Sequence, residues 1–144
     1  MIKYLIRFNH PAIFWLIAIS WTLLVIIVLL KPGDGVMNHE LSLSSFLTSF
    51  FSLSISRKDL SEAMGHVFLF GILTLLWQRV LIMYLSRPGA IFLTIGIAIV
   101  LALATEIGQY FVNRGSLLFD LMANILGVAI ATIGFIYVAK LKIK

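Results

Sequence analysis

Four continuous apolar runs, each about as long as a bilayer is thick, constrain this chain more than any other feature of its sequence. A helix needs about 20 mostly apolar residues to cross the hydrocarbon core of a membrane. The runs predict membrane-spanning helices at about residues 11–30, 61–84, 89–111 and 117–139. None of them alternates apolar and polar residues with the period of a strand, which argues against a β-barrel. We therefore expect residues 1–144 to form one all-α integral membrane domain.

The composition leads to the same class of protein. The chain is 61% hydrophobic and 12% charged, whereas soluble domains are about half apolar and about a quarter charged. There is no cysteine, which excludes disulfides and thiolate chemistry. The net charge is +5, but the bases stand singly between apolar runs and form no basic patch. This distribution argues against a nucleic-acid partner and indicates a role of the bases in membrane topology.

Lysine and arginine residues predict which side of the membrane each loop faces, because they favour the cytoplasm. With both termini inside, the cytoplasmic side holds Lys3, Arg7, Arg79, Arg87, Lys140, Lys142 and Lys144. The outside then holds fewer bases, namely Lys31, Arg57, Lys58 and Arg114. All 6 acids also fall outside or in the outer ends of helices. The prediction is a four-helix protein with the N-in, C-in orientation.

The first extracytoplasmic loop, at about residues 31–60, is unusually long. Within it, Leu43, Phe46, Leu47 and Phe50 follow a helical spacing, although the segment is too short to span a membrane. Two interpretations stay open. The segment is either an interfacial or re-entrant helix, or an apolar loop packed on the bundle.

Polar residues of three predicted helices occur at similar depths near the outer ends. They pair on single helix faces: Glu62 with His66, Glu106 with Gln109, and Asp120 with Asn124. We expect these faces to point into the bundle, because an aspartate facing lipid costs at least about 2.5–3.5 kcal/mol. Arg114 stands in the short loop between the third and fourth helices. Its side chain would lie over the outer end of a polar pocket that faces the outside.

A purely structural role for these residues is the competing interpretation. Polar pairs join helices in membranes, at about 0.6 kcal/mol each, and Asp120 would also suit the positive end of a helix dipole. Such a role calls for amides or hydroxyls, however. An imidazole, several carboxylates and a guanidinium at one depth favour a functional pocket.

The order of these residues resembles the VanZ-like family, which takes its name from a protein linked to teicoplanin resistance. The resemblance covers about residues 60–139 and is carried by His66, Glu106, Gln109, Arg114, Asp120, Ala123, Asn124 and Gly127. Many members have a DKxxH motif before the second span. Here Glu62 keeps the acid, Ala63 replaces the lysine, and Arg57 or Lys58 is the candidate substitute. The resemblance implies a multi-pass protein of the bacterial inner membrane that acts in the cell envelope.

Binding of an anionic cell-envelope molecule is the first predicted function, in envelope modification or glycopeptide resistance. The ligand would be a lipid headgroup, a polyprenyl phosphate or a glycan precursor. Arg114 would bind its phosphate or carboxylate, and Gln109 and Asn124 would orient its sugar or glycerol part. Glu62 completes the predicted ligand-binding residues.

An integral-membrane enzyme acting on such a substrate is the alternative, with His66, Glu106 and Asp120 as catalytic acid and base groups. A small transporter subunit and an assembly or scaffold protein are further alternatives. We expect no cofactor, and one histidine without cysteine in the pocket argues against a metal. A homo-oligomer or envelope-biosynthesis proteins are compatible partners, between which the sequence does not choose.

Overall fold

The computed structural model describes residues 11–31, 57–112 and 117–141, with side chains for 11–31, 60–112 and 118–138. These residues form four helices that are long and apolar enough to cross a membrane. They are α1 (Pro11–Leu29), α2 (Arg57–Leu81), α3 (Arg87–Phe111) and α4 (Leu117–Leu141). The prediction of an all-helical chain with four candidate spans is confirmed. The helix predicted around residues 43–50 lies outside the described residues.

Local sequence signals explain where two of the helices begin. α1 starts at Pro11, whose fixed φ suits the first turn of a helix and whose missing N–H is not needed there. α3 follows Ser86, whose hydroxyl oxygen accepts a hydrogen bond from the backbone N–H of Gly89 at 3.4 Å. Pro88 occupies the first turn. The short connection at residues 82–86 makes α2 and α3 antiparallel neighbours.

The most extensive helix contact joins α2 and α4, which run parallel. Gly127 lies at their crossing, where a Cβ atom would clash with the carbonyl oxygen of Val67 and meet the backbone nitrogen of Gly71 at 3.1 Å. Only a residue without a side chain fits there. The glycine therefore allows the two backbones to approach, as small residues do at helix interfaces in membranes.

α3 buries one stripe of mostly small residues against the other helices. The stripe consists of Ala90, Thr94, Ala98, Ala102, Thr105, Glu106 and Gln109. Its spacing of three and four residues keeps these side chains on one face of the helix. The stripe ends in Glu106 and Gln109. The packing of α3 therefore carries two polar side chains into the interior at one end of the bundle.

α1 is attached to α2 through the indole groups of tryptophans. Trp21 Nε1 donates to the carbonyl oxygen of Leu69 at 3.1 Å, and Trp77 Nε1 donates to Thr22 Oγ1 at 3.1 Å. In a bilayer these N–H groups have no water to bind, so an internal acceptor stabilises the pairing of the two helices.

An apolar core separates the polar groups at the two ends of the bundle. Its buried members are Val25, Leu29, Phe70, Leu73, Ala98, Ala102 and Val128. Along α2, Phe70 and Leu73 stand between His66 and Gln78. The described helices thus have a polar layer near each end and an apolar layer between.

Candidate functional site

Four polar side chains from α2, α3 and α4 meet in the interior at one end of the bundle. They are His66, Glu106, Asp120 and Asn124, which are 3%, 1%, 4% and 0% exposed. We call them the ionisable cluster. They come together because α2 and α4 begin at this end and α3 ends there. Three helices have to pack correctly before the cluster exists.

Asn124 connects His66 to Glu106. Its Nδ2 donates to Glu106 Oε1 at 2.9 Å, and its Oδ1 lies 2.9 Å from His66 Nδ1. An ionised carboxylate only accepts hydrogen bonds, so the amide nitrogen of Asn124 must face Glu106 and the amide oxygen must face His66. That oxygen also only accepts, so Nδ1 of His66 must carry the proton. The hydrogen bond to Glu106 therefore sets the tautomer of His66 through the asparagine.

The other ring nitrogen of His66 faces Asp120. Nε2 lies 3.7 Å from Asp120 Oδ2, which is longer than a direct hydrogen bond. Because Nδ1 holds its proton toward Asn124, a neutral His66 presents a lone pair at Nε2 and a cationic one presents an N–H. Nε2 is therefore the atom at which the imidazole would gain or lose a proton, beside a carboxylate.

Gln109 lies on α3 close to the cluster but reaches toward α1. Its Nε2 donates to the backbone carbonyl oxygen of Leu29 at 3.2 Å. The last carbonyls of a helix need partners outside the helix, and Gln109 supplies one for α1. Its Oε1 is buried and has no hydrogen-bond partner within the described part of the chain.

Of the remaining predicted site residues, only Glu62 belongs to the part of the chain that the structure describes. Glu62 lies one turn before His66 on α2 and is half-buried, and its side chain makes no hydrogen bond or ion pair with the described residues. Arg114 lies in residues 113–116, outside the described residues, and the side chains of Arg57 and Lys58 are also outside them. Among described residues, no group of three or more His, Asp or Glu side chains is arranged to hold a metal ion.

The hydrogen-bond partners of two amide side chains in the site could not be predicted from the sequence. Asn124 was predicted to contact a ligand, and the structure adds that its amide joins His66 to Glu106. Gln109 was predicted as a ligand contact too, and its nitrogen is bound to a backbone carbonyl of α1. A backbone acceptor at a helix end could not have been identified from residue types.

A second polar contact lies at the opposite end of the same helices. Gln78 Nε2 donates to Thr132 Oγ1 at 3.1 Å, and both side chains are buried. We call these two residues the neutral pair. Gln78 is about 18 Å from His66 along α2, from the rise of 1.5 Å per residue. The sequence showed these residues as isolated polar positions in apolar spans, with no indication that they meet.

The chemistry available in the ionisable cluster is proton transfer and the recognition of polar groups. The structural interpretation keeps some support, because Asp120 stands in the first turn of α4, where a negative charge is favourable. It does not explain why an imidazole and two carboxylates share one buried volume.

Comparisons of the chain with protein-family models, with curated proteins and with solved structures found no match. The resemblance to the VanZ-like family therefore remains a prediction that depends on the motif residues alone.

Proposed function

We propose that this chain is a VanZ-like protein of the bacterial inner membrane that binds an anionic cell-envelope molecule at the ionisable cluster. The observation that carries the proposal is the convergence of His66, Glu106 and Asp120 from three helices into one buried volume. Ionisable groups inside a membrane are costly and usually serve a function. A lipid headgroup, a polyprenyl phosphate or a glycan precursor is the class of ligand.

The negative charge of the ligand requires a cation, and two groups could supply it. His66 becomes cationic when Nε2 is protonated, and Arg114 belongs to the segment that joins α3 to α4. Arginine binds phosphate or carboxylate through two parallel hydrogen bonds. In this proposal Glu106 and Asp120 orient these cations and do not themselves contact the anion.

The proposed orientation places both termini in the cytoplasm and the ionisable cluster near the outer surface. The excess of lysine and arginine in the cytoplasmic segments supports it. A reporter fused after Lys144 should be active in the cytoplasm. A reporter that is active on the outer side would overturn the orientation.

Binding is tested with the purified full chain in nanodiscs made from phosphatidylcholine with or without phosphatidylglycerol. We expect preferential retention of phosphatidylglycerol, measured by native mass spectrometry. Glu106→Gln and Arg114→Ala should each weaken the retention by about tenfold or more, equivalent to about 1.4 kcal/mol. Ile125→Leu, a change on an exposed face of α4, is the control and should bind like the wild type. Equal retention of both lipids by all variants would disprove the proposal.

An enzyme that acts on the same ligand is a second candidate function. The donor-to-acceptor direction of the hydrogen bonds from His66 through Asn124 to Glu106 favours it. The chain from Glu106 through Asn124 fixes the Nδ1 proton of His66 and turns Nε2 toward Asp120. A general acid or base needs a fixed tautomer and a carboxylate that stabilises its cation. His66 would then exchange a proton with the substrate at Nε2.

His66→Ala separates the enzyme from the binding protein. An enzyme would keep phosphatidylglycerol retention within about threefold and lose chemical turnover of the bound lipid, which is followed by mass spectrometry of the lipid fraction over time. A binding protein would show no turnover in the wild type and would lose retention in the variant.

A further inference from the structure

The amide oxygen of Gln109 is a buried acceptor of the predicted site that the hydrogen bonds described so far leave unexplained. Gln109 is 1% exposed, and its Oε1 has no hydrogen-bond partner among the described residues. A buried acceptor without a donor is costly, and more so in a membrane, where no bulk water can reach it. A donor from another molecule would remove this cost.

The contact with α1 determines which end of the amide is open. Nε2 of Gln109 donates to the carbonyl oxygen of Leu29 at 3.2 Å. If the amide were turned over, its oxygen would face the oxygen of Leu29, and two acceptors would oppose each other. The nitrogen is therefore fixed on α1, and the oxygen is the end that remains for another molecule.

The position of Gln109 places its side chain one turn along α3 from Glu106 of the ionisable cluster. Glu106 and Gln109 belong to the same buried stripe of α3 and are three residues apart, about 4.5 Å along the helix axis. A Cβ atom at Gly108 would collide with the side chain of Leu30, so the end of α1 is seated directly on this turn of α3. The amide therefore faces the interior and not lipid.

The second amide of the site differs from Gln109, because its oxygen already has a partner. Asn124 donates to Glu106 and accepts from His66, so each end of its amide has a partner inside the cluster. The two amides predicted to orient a ligand therefore have different partners. Asn124 connects two side chains of the cluster, whereas the amide oxygen of Gln109 can still accept a hydrogen bond.

We infer that Gln109 Oε1 accepts a hydrogen bond from a hydroxyl group of the bound envelope molecule. This inference rests on the proposed function and narrows its ligand to headgroups that carry hydroxyls, such as glycerol or glycosyl groups. An ionised phosphate presents only acceptors and cannot satisfy a carbonyl oxygen. A site that pairs with a hydroxyl discriminates against an analogue without it, because the buried acceptor is then left unpaired.

The test compares two lipids of the same charge and nearly the same size, phosphatidylglycerol and phosphatidylpropanol, the latter without headgroup hydroxyls. The full chain is placed in phosphatidylcholine nanodiscs, and the affinity for each lipid is measured by competition. We expect the wild type to prefer phosphatidylglycerol by about fivefold or more. In Gln109→Met the preference should fall to about onefold, whatever the absolute affinity, because the ratio within one variant does not depend on its folded fraction.

Gln78→Met is the matched control. Gln78 is equally buried, its nitrogen is also committed, to Thr132, and its Oε1 also lacks a partner within the described helices. It lies beyond the apolar core, so the lipid preference should remain as in the wild type. Loss of the preference in Gln78→Met would overturn the inference, since a general disturbance of packing would then explain the effect.

A measurement on the wild type alone tests the inference even if the Gln109→Met variant does not fold. The ¹³C resonance of the Gln109 side-chain carbonyl should shift on addition of phosphatidylglycerol and not of phosphatidylpropanol. If both lipids bind equally and the resonance does not move, the inference is wrong and the proposed function stands. If neither lipid binds in preference to phosphatidylcholine, the proposed function itself is wrong.

Discussion

The ionisable cluster and the neutral pair are built on the same helices and have opposite chemistry. At one end α2 and α4 join through His66 and Asn124, and at the other end through Gln78 and Thr132. The first contact continues to two carboxylates, whereas the second is one hydrogen bond between an amide and a hydroxyl. Both are buried.

Comparing the two sites shows that a neutral hydrogen bond is enough to pack two helices, whereas the charged groups of the ionisable cluster are not needed for packing. One neutral contact is enough to join two parallel helices, and it brings no charge into the membrane interior. The ionisable cluster places an imidazole and two carboxylates at a similar burial, which adds a desolvation cost that a neutral contact does not carry. The four experiments below test this comparison, from the largest expected effect to the smallest.

Gly127→Leu should damage both polar layers at once. Its side chain would collide with the backbone of α2 at Val67 and Gly71 and force α2 and α4 apart. We expect a loss of about 3 kcal/mol of stability, the upper end of the usual cost of overpacking. Unfolding in mixed micelles of SDS and a mild detergent measures it. Gly134→Leu on the same helix is the control, because open space surrounds a Cβ there, and a comparable loss in that variant would contradict the mechanism.

Asn124→Leu should affect the ionisable cluster alone. It removes the hydrogen bonds to His66 and Glu106 with little change of side-chain volume. We expect a loss of about 2 kcal/mol in the same micelle assay, since buried polar groups lose a partner. Lipid retention should also fall, because the tautomer of His66 is no longer fixed. If the stability and the lipid retention both stay at wild-type values, the hydrogen bonds of Asn124 to His66 and Glu106 contribute to neither.

The neutral pair should contribute much less. A double-mutant cycle of Gln78→Met and Thr132→Val isolates the energy of their hydrogen bond. We expect a coupling of about 0.6 kcal/mol, the average for such contacts in membranes. A coupling energy as large as the loss of stability in Asn124→Leu would show that the neutral pair stabilises the bundle as much as the ionisable cluster does.

Thr94→Val should have the smallest effect, and of opposite sign. The hydroxyl of Thr94 is buried and has no hydrogen-bond partner in the described helices, and valine has the same shape. Its removal should leave the stability unchanged or raise it by up to about 0.5 kcal/mol. Destabilisation in the micelle assay would instead indicate a bound water at this hydroxyl.

The helices were predicted closely from apolar length, and α2 differs most, since it starts and ends three to four residues earlier than predicted. α2 begins at Arg57, whereas the apolar run alone suggested a start near residue 61, because a helix continues past the hydrocarbon region into polar sequence. Pairs of polar residues on one helix face also predicted which side chains turn inward. Glu62 is the exception, since its face is only half-buried at the end of α2.

The sequence by itself determined the class of protein, the positions of the four helices and the ionisable residues that had to be hidden from lipid. These follow from the transfer of apolar and charged groups into hydrocarbon, which depends on local composition. The tertiary structure decided that α2 and α4 cross at Gly127, that Asn124 connects His66 to Glu106, and that Gln109 binds the end of α1. Those contacts depend on the direction and depth of each helix relative to the others, which residue types do not encode.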